Sequence, residues 1–270
     1  MEITVGQRTF QVDGTAPLDI AIPLHFDGPQ PNAFGVPDAT AQAYQDGPFI
    51  GDTRRGGSCN FDEIRLIPHC NGTHTECVGH ITDQRIAIYD VWTGGFVPST
   101  LVSIKPELAS STDDTYDPPL APDDLLITRR SLEEALRHVP PAFLHGLILR
   151  TLPNPPEKRF RRYATHPAPF FSIEAIHLIN DLNVSHLLVD MPSVDRANDE
   201  GKLTVHHLYW HIPRGSHQIE SENYSRKTIT ELIYADDAIP DGPYLLSLNL
   251  PPFVADAAPS RPLLYRVSTR

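Results

Sequence analysis

Apolar and polar positions alternate in short runs at the start of the chain. Ile3-Thr4-Val5 and Thr9-Phe10-Gln11-Val12 flank a polar turn, a pattern that predicts a β-hairpin. LDIAIPL (18–24) reads as a further strand, and EIRLI (63–67) alternates as a half-buried strand does. RIAIYDVW (85–92) and TLVSIK (100–105) predict two more strands, parted by a turn at Thr93-Gly94-Gly95. The period then changes. DLLIT (124–128), HGLILRT (145–151) and VSHLLVD (184–190) are apolar, strand-sized runs. Between them lie SLEEALRHV, with Ser131 and Glu134 in capping-box spacing, and SIEAIHLINDL (172–182), with Ala175, Leu178, Ile179 and Leu182 on one helical face. Strand, helix, strand, helix, strand predicts a parallel sheet with right-handed crossovers. PYLLSLNL (243–250) and PLLYRVS (262–268) return to strand at the end.

Composition narrows the class. At 270 residues the chain can bury a large core, and no linker divides it, so a single α/β domain over 1–270 is expected. The apolar runs fall well short of the roughly 20 residues that span a bilayer, and no secretory or transit segment is read at the start. A net charge of −12 repels phosphate backbones, which argues against nucleic acid as a partner. The basic patches TRRG (53–56) and KRFRR (158–162) are read as solvated loops. Three cysteines, Cys59, Cys70 and Cys77, do not make a disulfide framework and fit a reducing cytoplasm. Residues 27–60, rich in Gly, Pro, Asn and Asp, form a long loop of the kind that carries function.

The chemistry concentrates in residues 69–80, HCNGTHTECVGH. His69, Cys70, His74, Glu76, Cys77 and His80 are all metal-philic, and a polar loop has little use for such a crowd. On an extended strand Cys70 and His74 would stand roughly 13 Å apart, so a shared metal requires the chain to turn between them. Asn71-Gly72 supplies that turn in this reading. The segment lacks C-x-x-C, which weakens a closed structural zinc site.

Cys70-Asn-Gly-Thr-His74-Thr-Glu76-Cys-Val-Gly-His80 resembles the H-x-G-T-H-x-D-x-P-x-H signature of the cyclase family of metal-dependent hydrolases, which includes bacterial kynurenine formamidase and isatin hydrolase. HGLILRT, HLLVDMPSVD (186–195), LTVHH (203–207), TITELI (228–233) and SRPLLYRV resemble further family segments, in the family's order, from about residue 19 onward. The resemblance implies a swivelling β/β/α domain with a mixed sheet and βαβ crossovers, in a homodimer or homotetramer. It implies one or two divalent ions, zinc first and manganese as the alternative, held by Cys70, His74, Glu76, His206 and Glu231. His80 takes the acid–base role. The implied substrate is a small amide, formamide or cyclic amide.

Three departures from the signature leave choices open. Cys70 stands where the family has His, and His69 is one residue away. On an extended strand 69 and 70 would face opposite sides, and the apolar face of EIRLIPHC then favours Cys70 as the inward residue. Glu76 replaces Asp with a longer arm. The insertion PRGSHQIESENYSRK (213–227) stretches the His206–Glu231 spacing, which makes Glu220 and Glu222 alternatives to Glu231. These departures also motivate a second reading, a catalytically degenerate member serving as a binding or scaffold module. A third makes Cys77 a nucleophile with His80 as its base. His138, His145, His177 and His186 are read as structural, His207 and His211 as candidate outer groups, and Asp190, Ser193 and Asp195 as holding a loop near the site.

Overall fold

The computed structural model describes residues 1–220 and 223–269. Among these, eleven strands form one mixed sheet. Its centre is four parallel strands, Phe96–Ile104, Gly146–Thr151, His186–Val189 and Thr228–Glu231, hydrogen-bonded in that order. On one side the antiparallel strands Gly242–Asn249 and Arg261–Thr269 continue toward the Glu2–Val5/Arg8–Val12 hairpin. On the other side Thr228–Glu231 pairs antiparallel with His74–Glu76, which pairs with Ala257–Pro259.

The apolar run HGLILRT fits its place, because a parallel strand covered on both faces has no solvent side to make polar. All six residues of Gly146–Thr151 are buried. Leu147 and Leu149 pack toward the face holding Ile176, Ile179, Val205 and Tyr209 from the helices Ile173–Asp181 and Thr204–Trp210. Ile148 and Leu188 face the other way, against Ile20, Leu101, Ile233 and Leu246. The helices Arg129–Leu136, Ile173–Asp181 and Thr204–Trp210 each bridge two neighbouring parallel strands, so the βαβ expectation holds. No helix of the described residues is long and apolar enough to cross a membrane.

Several elements differ from the pattern reading. DLLIT forms the strand Leu125–Ile127, but it lies in a separate small sheet with Glu107–Leu108 and Phe170–Phe171. The first parallel strand is Phe96–Ile104 instead. The next helix is capped by Thr128, which shares a reciprocal capping box with Ser131, so it starts earlier than the Ser131–Glu134 spacing suggests. RIAIYDVW is not a strand: Ile88–Val91 is a helical turn that buries Ile88 and Val91, three apart, against Cys77 and Ala258. LDIAIPL keeps only Leu18–Asp19 as strand, and every residue of Asp62–Arg65 is exposed. Lys158 is no solvated loop residue. It is buried, and its Nζ donates to Thr151 O and Oγ1 and to Asp190 Oδ2.

One half-buried imidazole gives the fold a pH signature. His186 Nδ1 lies 2.8 Å from Thr228 Oγ1 and its ring packs on Trp92. Burial, with a smaller push from His145, lowers its pKa from 6.5 to about 4. Below pH 6.5 an unfolded chain takes up a proton here that the folded chain refuses until about pH 4, so this group makes stability fall as pH falls through that window. Urea unfolding between pH 7 and 4.5 should show wild type losing about 2 kcal/mol more than His186→Gln. Equal slopes would mean that the imidazole takes up its proton as readily in the fold as in the unfolded chain.

Candidate metal centre

Three adjacent strand ends assemble the site. In the antiparallel register His74 lies opposite Glu231, and Glu76 lies opposite both Ile229 and Ala257. His74 and Glu76, two apart on one strand, face the same side. Asp256 is fixed just before the strand Ala257–Pro259, where its carbonyl accepts from Cys77 N at 3.1 Å. The helix Thr204–Trp210 brings His206 over the same face.

His74 is fully buried, and its Nδ1 donates to Gly72 O at 3.0 Å. In the neutral ring that bond leaves Nε2 as a bare lone pair. Nε2 has no hydrogen-bond partner and lies 3.4 Å from Glu231 Oε2. Two electron-rich atoms facing each other in a buried pocket repel unless a cation sits between them. Glu231 is held in place from behind, its Oε1 accepting from Val194 N at 3.0 Å.

Glu76 is the hub. Its Oε1 faces His206 Nε2 at 2.9 Å, and its Oε2 faces His69 Nδ1 at 2.9 Å and His80 Nε2 at 3.8 Å. Burial alone would raise this carboxyl, but the His80, His206 and His69 imidazoles outweigh it and hold its pKa well below the usual range. His206 is oriented by Asp195, whose Oδ2 takes Nδ1–H at 2.5 Å. Asp195 also accepts from Tyr116 Oη, Val205 N and His206 N, so its acceptor capacity is spent on positioning. Burial disfavours the His206 cation, yet Glu76 and Asp195 raise its pKa well above the ordinary value.

His69 and His80 stack with ring centroids 4.2 Å apart, each spanning from Glu76 Oε2 to Asp256 Oδ2. Burial lowers the His69 pKa, but Asp256 and Glu76 overturn that and lift it to about 10. His80 closes the short 3₁₀ turn Val78–His80. That turn requires glycine at 79, where a Cβ would stand 2.0 Å from Ile86 O.

The predicted residues are therefore close neighbours, with two changes of geometry. Pro68–Asn71 is a helical turn, not extended strand, so the face-alternation argument for Cys70 has no backbone to act on. Among the described residues three groups have ligand atoms within 4.8 Å of one another, His69/His74/Glu76, Glu76/His80/His206 and His69/His80/Asp256; His69 belongs to two of them and Cys70 to none. Cys70 lies buried near Glu231, its thiol pushed up by burial and by that carboxylate. Gly72 has φ 169°, ordinary extended backbone, so the chain reverses through the Pro68–Asn71 turn and not through a left-handed glycine. Despite the insertion, Glu231 Oε1 is 4.0 Å from His206 Nε2. Glu220 is exposed, and Glu222 lies outside the described residues. Sequence reasoning missed Asp256, which has no family motif around it among the segments compared. The donor set is imidazole nitrogen and carboxylate oxygen, with one nitrogen orphaned, which suits a divalent metal ion.

A large mixed sheet with few helices and a His/Glu-lined pocket at its strand ends defines the class. The family model described as "Putative cyclase" matches residues 12–196, and the chain belongs to that cyclase family. Its fold is similar to that of a "predicted metal-dependent hydrolase" from Bacillus stearothermophilus (17% identity, TM-score 0.56, covering 93% of this chain and 98% of that one). It is also similar to isatin hydrolase A from Labrenzia aggregata (15%, TM-score 0.59, 93% of each chain). A third similar structure is an isatin hydrolase bound to thioisatinate (13%, TM-score 0.61, 93% and 92%). No curated protein sequence matches the chain.

The cysteines give a direct check on the site's chemistry. Cys77 Sγ is buried in an apolar cluster 3.4 Å from Ile86 O, and burial pushes its pKa up to about 12. Such a thiol is a poor nucleophile at neutral pH. Iodoacetamide at pH 8 should label Cys59, the exposed cysteine, in the native protein and reach Cys70 and Cys77 only in denaturant. Native labelling of Cys77 as fast as Cys59 would restore the nucleophile reading.

Proposed function

We propose that this chain is a metal-dependent hydrolase of a small amide, formamide or cyclic amide. The observation that carries it is the buried His74 Nε2, without a hydrogen-bond partner and 3.4 Å from a carboxylate oxygen. In this reading His69, His74 and Glu76 hold one divalent ion, with Glu231 beside them, and Glu76 and His206 reach toward a second position. Zinc is the first expectation and manganese the second. Two of the structural relatives are isatin hydrolases, and isatin is a cyclic amide.

A bound divalent ion supplies an acidified water and polarisation of the scissile carbonyl. The chain's own groups supply the rest. Asp195 and Gly72 O fix His206 and His74 by the nitrogen turned away from the pocket, so both Nε2 atoms point inward. Glu76 and Glu231, both buried, set the negative charge of the pocket floor. His80 has 27% of its side chain exposed, so its ring can pass a proton between the pocket and solvent. The same reading makes the substrate a small molecule, expects no nucleic acid or membrane partner, and takes the chain as a cytoplasmic homodimer or homotetramer. The degenerate-module reading leaned on Cys70 and on the stretched His206–Glu231 spacing; His206 and Glu231 lie 4.0 Å apart across that spacing, and His69 stands beside Glu76 where Cys70 does not.

Elemental analysis of protein purified without chelator should find one or two zinc or manganese ions per chain. Less than about 0.2 ion per chain, unchanged by reconstitution, would refute the metal reading. His69→Ala and His74→Ala should each weaken metal affinity and slow hydrolysis of formanilide or isatin by about 100-fold or more, while Cys70→Ala changes either by less than about threefold. Loss of metal in Cys70→Ala alone would return the thiolate to the ligand set.

A further inference from the structure

Asp256 sits where no expected ligand or acid–base residue was placed. Its backbone is pinned by Cys77 N on its own carbonyl at 3.1 Å and by Ile88 N on Ala255 O at 2.7 Å. The next residue, Ala257, pairs with Glu76 in the sheet, so the two carboxylates are set side by side by strand register. Asp256 Oδ2 lies 2.8 Å from His69 Nε2 and 3.4 Å from His80 Nδ1. The opposite nitrogens, His69 Nδ1 and His80 Nε2, both face Glu76 Oε2. Arg85 Nη2, 3.9 Å from Oδ1, is the cation on the outer side of Asp256.

A neutral imidazole has one proton to place, and the nearer carboxylate takes it: at His80, Asp256 Oδ2 is 3.4 Å from Nδ1 and Glu76 Oε2 is 3.8 Å from Nε2. We propose that Asp256 is a positioning residue that orients both His69 and His80 and fixes the tautomer of His80, turning His69 Nδ1 and His80 Nε2 toward the Glu76 pocket. One carboxylate oxygen thus sets two rings with different tasks. His69 must offer its Nδ1 lone pair to an ion, and His80 must offer its Nε2 lone pair to a proton. Both roles rest on the metal-hydrolase reading above, and binding an ion costs His69 its Nδ1 proton, but the His80 tautomer itself does not depend on that reading. The chain has lost the family's histidine at position 70 and gained one at 69, on the turn of the helix nearer Asp256. A ring delivered from there needs an acceptor on its outer nitrogen, and the carboxylate is in place.

The test uses the full chain. Imidazole ¹H–¹⁵N correlation at pH 8.5 without metal should show the His80 proton on Nδ1 in wild type, and a shift toward Nε2 in Asp256→Ala. Asp256→Asn, which keeps an acceptor oxygen, should restore the Nδ1 form at least in part; it also stands in if Asp256→Ala does not fold. In parallel, Co²⁺ titration followed by visible absorption should show Asp256→Ala binding about 10- to 100-fold more weakly than wild type. The same His80 tautomer in wild type and both variants, with Co²⁺ affinity within twofold, overturns the proposal. Abolition of Co²⁺ binding to the extent seen in His74→Ala also overturns it, because Asp256 would then be a ligand. If wild type itself binds no Co²⁺, the metal-hydrolase reading fails, and the tautomer comparison alone decides the role of Asp256.

Discussion

The burial of Glu76 is the constraint on which the rest of the site depends. A carboxylate with about 1% exposure cannot stay ionised without positive or hydrogen-bonding neighbours, and the fold surrounds it with three imidazoles. Those imidazoles need acceptors on their far sides, which brings in Asp195 behind His206 and Asp256 behind His69 and His80. Each correction for one buried charge adds another group, until Glu231 and His74 close the pocket. His74 breaks the pattern. Its far nitrogen is satisfied by a backbone carbonyl and its near one by nothing, so the network lacks one positive charge at that point.

The departures from the family signature are coupled once they are placed on the backbone. The Pro68–Asn71 helical turn rotates successive residues by about 100°, whereas a strand would alternate them by 180°. Position 69 can therefore reach the pocket while position 70 stays buried beside Glu231. The exchange of Asp for Glu at 76 adds a methylene to the arm that meets His69. His69, one residue before the signature's position, and Glu76, one carbon longer than the signature's Asp, meet at 2.9 Å between Nδ1 and Oε2.

Much of the fold was legible because it rests on periodicity. The run HGLILRT and the one-sided helix at 172–182 could be placed from their apolar positions alone, since parallel strands and amphipathic helices leave those marks. The errors lie where tertiary contacts overrule a short pattern. Ile86, Ile88 and the aromatic residues near them read as strand, but the pocket beside Cys77 and Ala258 accepts residues three apart. His74, Glu76 and His80 were legible as a cluster because they are near in sequence. His206 and Glu231 were reachable only through motif order. Asp256 was invisible, because a single aspartate in a Pro-rich tail carries no periodic or motif signal, and only the pairing of Ala257 with Glu76 gives it a place.

The insertion at 213–227 shows why sequence distance misleads about a site. The separation of His206 from Glu231 is set by the helix and strand that carry them, and both are anchored in the central sheet. Extra chain between them is free to do other things at small entropic cost. Here it folds back on the segment after His80: His217 Nδ1 lies 2.8 Å from Ile81 O, Asp83 N donates to His217 O, and Ile219 N donates to Gln84 Oε1. The added residues thereby tie the end of the His206 helix to the turn that positions His80. A stretch that looks like damage to the motif in one dimension becomes a brace between two of its members in three.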